Sequence, residues 1–151
     1  MNYEQALEFI SSTYKLGMKK GTENIEYLLN LLDNPQNKYK VIHVAGTNGK
    51  GSTCSFISSV LTKAGYKVGL YTSPFLEVFN ERIRINGINI ENQVLADIVS
   101  LVKAKTEIMV AEGMPHPTEF EVTTAVGFLY FAMEHVDYLV LEVGLGGRYD
   151  A

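Results

Sequence analysis

Val41-Ile42-His43-Val44-Ala45-Gly46-Thr47-Asn48-Gly49-Lys50-Gly51-Ser52-Thr53-Cys54 is an apolar run, then a glycine-punctuated turn with one lysine, then small hydroxyl residues opening a helix. The pattern reads as a phosphate-binding loop. A strand over Val41 to Val44 brings the backbone to the end of a sheet, and Gly46, Gly49 and Gly51 let the chain reverse with its N–H groups turned inward. The helix that follows offers N–H groups and its positive dipole end to a triphosphate, and the Lys50 ammonium reaches the outer phosphates. The general template G-x-x-x-x-G-K-[ST] is only partly met, because its first glycine falls on Val44 and its hydroxyl residue on Gly51. Loss of the hydroxyl that normally holds magnesium there disfavours a phosphate-loop kinase or GTPase.

Downstream, the loop helix is expected to stop at Gly65, and Lys67-Val68-Gly69-Leu70-Tyr71 to return as a parallel strand that leaves Ser73 at the carboxyl edge of the sheet. Arg82 to Ile90 alternates polar and apolar around Asn86-Gly87, which predicts a hairpin standing off the main sheet. A long surface helix is predicted over Glu91 to Glu112 and a buried helix over Glu119 to His135. Tyr138 to Val143 reads as a core strand interrupted by Glu142, a carboxylate that needs a cation partner; a magnesium ion held against phosphates would supply it. Upstream, a helix over Tyr3 to Tyr14 presents Leu7, Ile10 and Tyr14 on one face. A second, capped by Thr22, presents Ile25, Leu28, Leu29 and Leu32 and ends at Asp33-Asn34-Pro35. Strands alternating with helices predict an α/β, doubly wound parallel sheet with flanking helices and a small hairpin.

The chain has 151 residues, 46% of them apolar, enough for one domain with a sizeable core. A formal charge of −4 argues against a nucleic-acid or membrane-surface partner. Cys54, the only cysteine, excludes a disulfide framework and reads as a core thiol in a reducing cytosol. Glu4 and Glu8 and the lack of an apolar core argue against a signal peptide, so a cytoplasmic protein is expected.

HVAGTNGKGSTC, YTSPFL, ERIRING and LEVGLGGRYDA, in that order, resemble the N-terminal part of folylpolyglutamate synthase and the bifunctional dihydrofolate synthase, in the Mur-ligase superfamily. The resemblance runs from Leu16 onward and includes the Gly51 departure, which is the family's own form. It implies that residues 1–151 are the first part of a Mur-ligase ATP-binding domain, with a phosphate-loop NTPase-like fold. It also implies an ATP-dependent ligase that joins L-glutamate to folate, or to dihydropteroate, through an acyl phosphate. In this carry-over Gly46, Thr47, Asn48, Gly49, Lys50, Gly51, Ser52 and Thr53 bind the nucleotide, with Lys50 catalytic, and Ser73 and Glu142 hold Mg2+. The pterin side draws on Lys15, Leu16 and Gly17, and on Thr118, Glu119, Phe120 and Glu121, with Arg148 meeting a substrate carboxylate. The family continues past Ala151 with a third magnesium ligand and a C-terminal domain. The chain alone is therefore expected to be inactive and able to self-associate, whereas the full-length enzyme is expected to be a monomer. A noncatalytic nucleotide-binding or interaction module is the alternative.

Overall fold

The computed structural model describes residues 1–17, 21–46, 48–73 and 75–142. They divide into two units: Met1–Pro35 with Asn92–Tyr130, and Gln36–Glu91 with residues 131–142.

The first unit is helical. Helix α1 (Tyr3–Ser12) opens on a reciprocal cap, in which Asn2 Oδ1 accepts from Gln5 N–H at 2.8 Å and Gln5 Oε1 accepts from Asn2 N–H at 2.9 Å. The helix is shorter than its sequence pattern suggests. Tyr14 falls in a 3-10 turn (Tyr14–Leu16) and is 75% exposed, so the buried stripe is Ala6 and Ile10 instead. In α2 (Glu23–Leu31), Ile25, Leu28 and Leu29 are buried as the spacing predicts. Thr22 stands at the N-cap without capping the backbone, its hydroxyl meeting Glu26 Oε1 at 3.0 Å. Asp33 in the left-handed region closes α2, with Asn34 N–H on Leu29 O at 2.8 Å. Both α1 and α2 pack on α4 (Asn92–Ala111), whose Leu95, Ile98, Val99 and Val102 are buried. Helix α5 (Glu119–Met133) is apolar nearly all round, and Val122, Ala125, Val126 and Phe128 are buried, as its composition requires.

The second unit is built on a five-stranded sheet of β1 (Lys40–Val44), β2 (Val68–Tyr71), β3 (Ile83–Ile85), β4 (Ile88–Asn89) and β5 (Tyr138–Glu142), in the spatial order β1-β5-β2-β3-β4. Strands β1 and β2 both pair with β5 in parallel. Their connection, α3 (Lys50–Lys63), therefore spans one strand position, and β5 fills the gap. One face of the sheet packs on α3, with Val44, Val68, Leu70 and Val140 gathered around Cys54, Ile57 and Leu61. Gly65 ends α3 in the left-handed conformation, with Tyr66 N–H on Leu61 O at 3.2 Å, as expected of a glycine just past the last turn.

The hairpin forms around Asn86 (φ 49°) and Gly87 (φ 82°), but it does not stand off the sheet. Strand β3 pairs antiparallel with β2 through Gly69 with Ile85, Leu70 with Arg84 and Tyr71 with Ile83. A free β2 edge would leave its backbone groups unpaired beside the buried Ile83, and the Asn86 amide oxygen extends the pairing by accepting Val68 N–H at 2.9 Å. Among the described residues, no helix is long and apolar enough to cross a membrane.

Candidate functional site

The glycine-punctuated loop expected to bind phosphate joins the end of β1 to the start of α3. Gly46 (φ 146°) and Gly49 (φ 74°) hold backbone conformations that a side chain would strain, and Gly49 is the N-cap of α3. As a glycine the N-cap residue has no side chain to cap the helix, and no acidic residue lies in the first turn. The dipole end of α3 therefore meets no carboxylate from its own first turn, which favours an anion there. Thr47 lies outside the described residues.

Strand order then determines what faces this helix end. Because β5 lies between β1 and β2, its last residue, Glu142, pairs with Val44, beside the start of the loop. A cleft of about 420 Å3 opens there, lined by Gly49, Lys50, Gly51 and Ser55 of the loop and α3, Thr72 and Ser73 after β2, Arg84 of β3, and Glu142. Glu142 is half-buried, and among the described residues its carboxylate has no hydrogen-bond or ion-pair partner. Gly51 leaves room for it, since a Cβ at that position would lie 3.8 Å from Glu142 Oε2. Cys54, buried beneath, has its thiol pushed up to about 11 by burial first and by the Glu142 charge second, with Lys50 opposing.

The structure brings Lys50, Gly51, Ser73 and Glu142 into one cleft, but Ser73 arrives by an unexpected route. Tyr71 pairs with Leu141, so strict alternation would place Thr72 on the Glu142 face and turn Ser73 away. The chain bends at Ser73, which lets both residues line the cleft. Beyond the bend, the Glu81 carboxylate accepts the N–H groups of Leu76, Glu77 and Val78, each at 2.9 Å. These bonds, that from Val78 foremost, hold its pKa below the usual glutamate range.

Sequence reasoning passed over Ser55, Thr72 and Arg84. Ser55 lies four residues beyond Gly51 on the same helix, a spacing that places both on one face. Arg84 occupies a polar position of the hairpin and goes unnoticed if the hairpin is taken to lie apart. A metal would find oxygen donors here, a carboxylate and hydroxyls, as a hard cation requires. Among the described residues, no cluster of three or more His, Cys, Asp or Glu side chains could hold a metal.

The pterin-side candidates belong to the first unit. Lys15 and Leu16 are exposed in the 3-10 turn and Gly17 follows at φ 71°. Thr118 and Glu121 are buried and cap the start of α5 reciprocally, with Thr118 N–H on Glu121 Oε1 at 3.0 Å and Glu121 N–H on Thr118 Oγ1 at 3.2 Å. Glu119 and Phe120 are half-buried in its first turn. Arg148 lies outside the described residues.

No family model matches the chain. It is 45% identical, over 99% of its length, to a dihydrofolate synthase/folylpolyglutamate synthase of Bacillus subtilis, and covers 35% of that protein. The structure superposes with TM-score 0.90 on a folylpolyglutamate synthase of Thermotoga maritima, at 43% identity over 98% of this chain and 34% of that one. It also superposes with TM-score 0.94 on a folylpolyglutamate synthase in complex with AMPPCP and folate, at 42% identity over 99% of this chain and 37% of that one. The chain spans about a third of the length of the relatives it matches.

Proposed function

Over its whole length the chain is a relative of the folylpolyglutamate and dihydrofolate synthases, and from that kinship we propose that its cleft binds Mg-ATP for a ligase that joins L-glutamate to a folate. The observation that carries the proposal is the start of α3 at Gly49 and Gly51 sharing one cleft with the Lys50 side chain and with Glu142, whose carboxylate has no hydrogen-bond or ion-pair partner among the described residues. Gly46 to Thr53 would wrap the triphosphate, with backbone N–H groups on its oxygens and Lys50 neutralising charge on the phosphoryl group in transfer. Ser73 and Glu142 would hold Mg2+, which when bound supplies the charge that lets a carboxylate lie beside a triphosphate. The substrate carboxylate attacks the γ-phosphorus of ATP, the bond to the bridging oxygen breaks and ADP leaves, giving an acyl phosphate. The glutamate amine then displaces phosphate and forms the amide.

On the acceptor side, Glu119 and Phe120 would meet the pterin ring, with Thr118 and Glu121 fixing the helix start that presents them and Lys15, Leu16 and Gly17 completing the wall. Arg148 would take a substrate carboxylate. Dihydropteroate is a second acceptor of the same chemistry. With about a third of the relatives' length, the chain alone is proposed to bind nucleotide without forming glutamylated product.

Calorimetric titration of the 151-residue chain with AMPPCP and magnesium tests the loop. Lys50→Ala should weaken binding by about 1.5–3 kcal/mol, the loss expected of a charge-assisted phosphate contact. Unchanged affinity would remove the basis of the proposal.

A further inference from the structure

A second compartment, of about 310 Å3, adjoins the phosphate cleft and shares Ser55, Leu70 and Arg84 with it. Its remaining wall is one side of α3 (Ser58, Ser59, Thr62, Lys63) and the hairpin turn at Asn86 and Gly87. Two cations and no carboxylate line it, in a chain whose formal net charge is −4.

Thr62 spends its hydroxyl on Ser58 O at 2.7 Å, but other donors of this compartment are unspent among the described residues. Arg84 Nε donates to the Glu81 carbonyl at 2.9 Å, which orients the guanidinium; its charge is also felt by the Glu81 carboxylate, but among the described residues neither Nη group has a hydrogen-bond partner. Asn86 Oδ1 accepts Val68 N–H at 2.9 Å; this fixes which end of the amide is oxygen and leaves the NH2 group without a partner among those residues. Lys63 likewise has no carboxylate partner there. A half-buried guanidinium fixed at Nε, an amide NH2 and an ammonium, beside serine hydroxyls that can also donate, together form a donor set with no carboxylate lining the same compartment.

We infer that this compartment is an oxyanion subsite, separate from the phosphate loop and joined to it at Arg84. Its ligand is a phosphate or a carboxylate, held by Arg84, Asn86 and Lys63. The subsite goes beyond the proposed nucleotide site and stands or falls independently of it. If the cleft transfers phosphoryl groups, the subsite offers the released phosphate, or an acidic group of a substrate, a resting place one arginine away.

The test is NMR titration of the 151-residue chain with inorganic phosphate and, separately, with glutamate, following the Arg84 Nε, the Asn86 side-chain amide and the backbone amides from Ser55 to Lys63. Saturable shifts at these groups are expected, persisting with AMPPCP bound and in Lys50→Ala. The anion that binds tighter identifies the class. Arg84→Gln should weaken binding by about tenfold or more. Lys63→Gln, at an exposed helix position where folding is not at stake, should weaken it measurably too. Shifts confined to Gly49, Lys50 and Gly51 would overturn the subsite while leaving the nucleotide loop intact. Saturation at neither place, or affinity unaltered in both variants, would overturn it as well.

Discussion

Gly69→Ala should destabilise the protein, and the structure sets the scale. Gly69 lies in β2 between Leu139 of β5 and Ile85 of β3. A Cβ there would stand 2.6 Å from Phe131 Cδ1, 2.8 Å from Cε1 and 3.1 Å from Cγ. Carbon atoms pack at about 3.5–4.0 Å, so the shortfall is about an ångström against the face of a ring. Phe131 is fully buried, with Tyr39 edge-on to it at 6.5 Å, and β2 is paired along both sides. Neither partner can yield cheaply. Overpacking of this kind costs about 1–3 kcal/mol. Loss of glycine's freedom in the unfolded chain returns about 0.4–1 kcal/mol, so a net loss of about 1–2 kcal/mol is expected, or a fall in Tm of about 2–8 °C. Urea denaturation of Gly69→Ala, Phe131→Leu and the double variant measures it. The alanine should be tolerated better where the ring has been shortened, with a coupling of about 1 kcal/mol. An alanine variant as stable as its parent, or one whose loss is the same in both backgrounds, would refute the account.

The same substitution at Gly51 should have the opposite sign. The nearest atom to the new Cβ is 3.8 Å away, so Gly51→Ala should be neutral or stabilising by up to about 1 kcal/mol in the same denaturation assay. Glu81→Gln should speed hydrogen exchange at the Leu76, Glu77 and Val78 amides. Because the folded pKa of Glu81 is depressed, its clasp is fully present above the ordinary glutamate range and is lost as pH falls through the folded value, so acid should mimic the variant at those amides. With Cys54 buried and its pKa pushed up to about 11, iodoacetamide at pH 8 should label the native chain far more slowly than the urea-unfolded one.

The parts legible in the sequence are those fixed by neighbours along the chain. Gly49 and Gly65 mark the ends of α3 through local dihedral demands, and Asn86-Gly87 marks a turn for the same reason. Strand order is different, because residues nearly a hundred positions apart decide it. Nothing near Glu142 says that β5 enters between β1 and β2, although that placement brings its carboxylate to the loop. Its position at a strand end predicts that Ser73 reaches the carboxyl edge, and it lines the cleft, yet alternation alone selects Thr72. Arg84 was missed because a hairpin read in isolation has no known neighbour. Tyr14 fitted a helical period that ended before reaching it.

The position of β5 also bears on how the protein comes into being. The strand that joins both halves of the parallel sheet is the last of the described strands to leave the ribosome, long after β1, α3 and β2. Until it arrives, the edges of β1 and β2 that will receive it lack their partner strand. Pairing over such sequence separation is intrinsically slow, and open edges of this kind recruit other chains at ordinary expression concentrations. Yield should therefore respond to synthesis temperature and chaperone supply more than native-state stability would suggest, and substitutions in β5 should reduce soluble yield more than equally destabilising ones in α1 or α2.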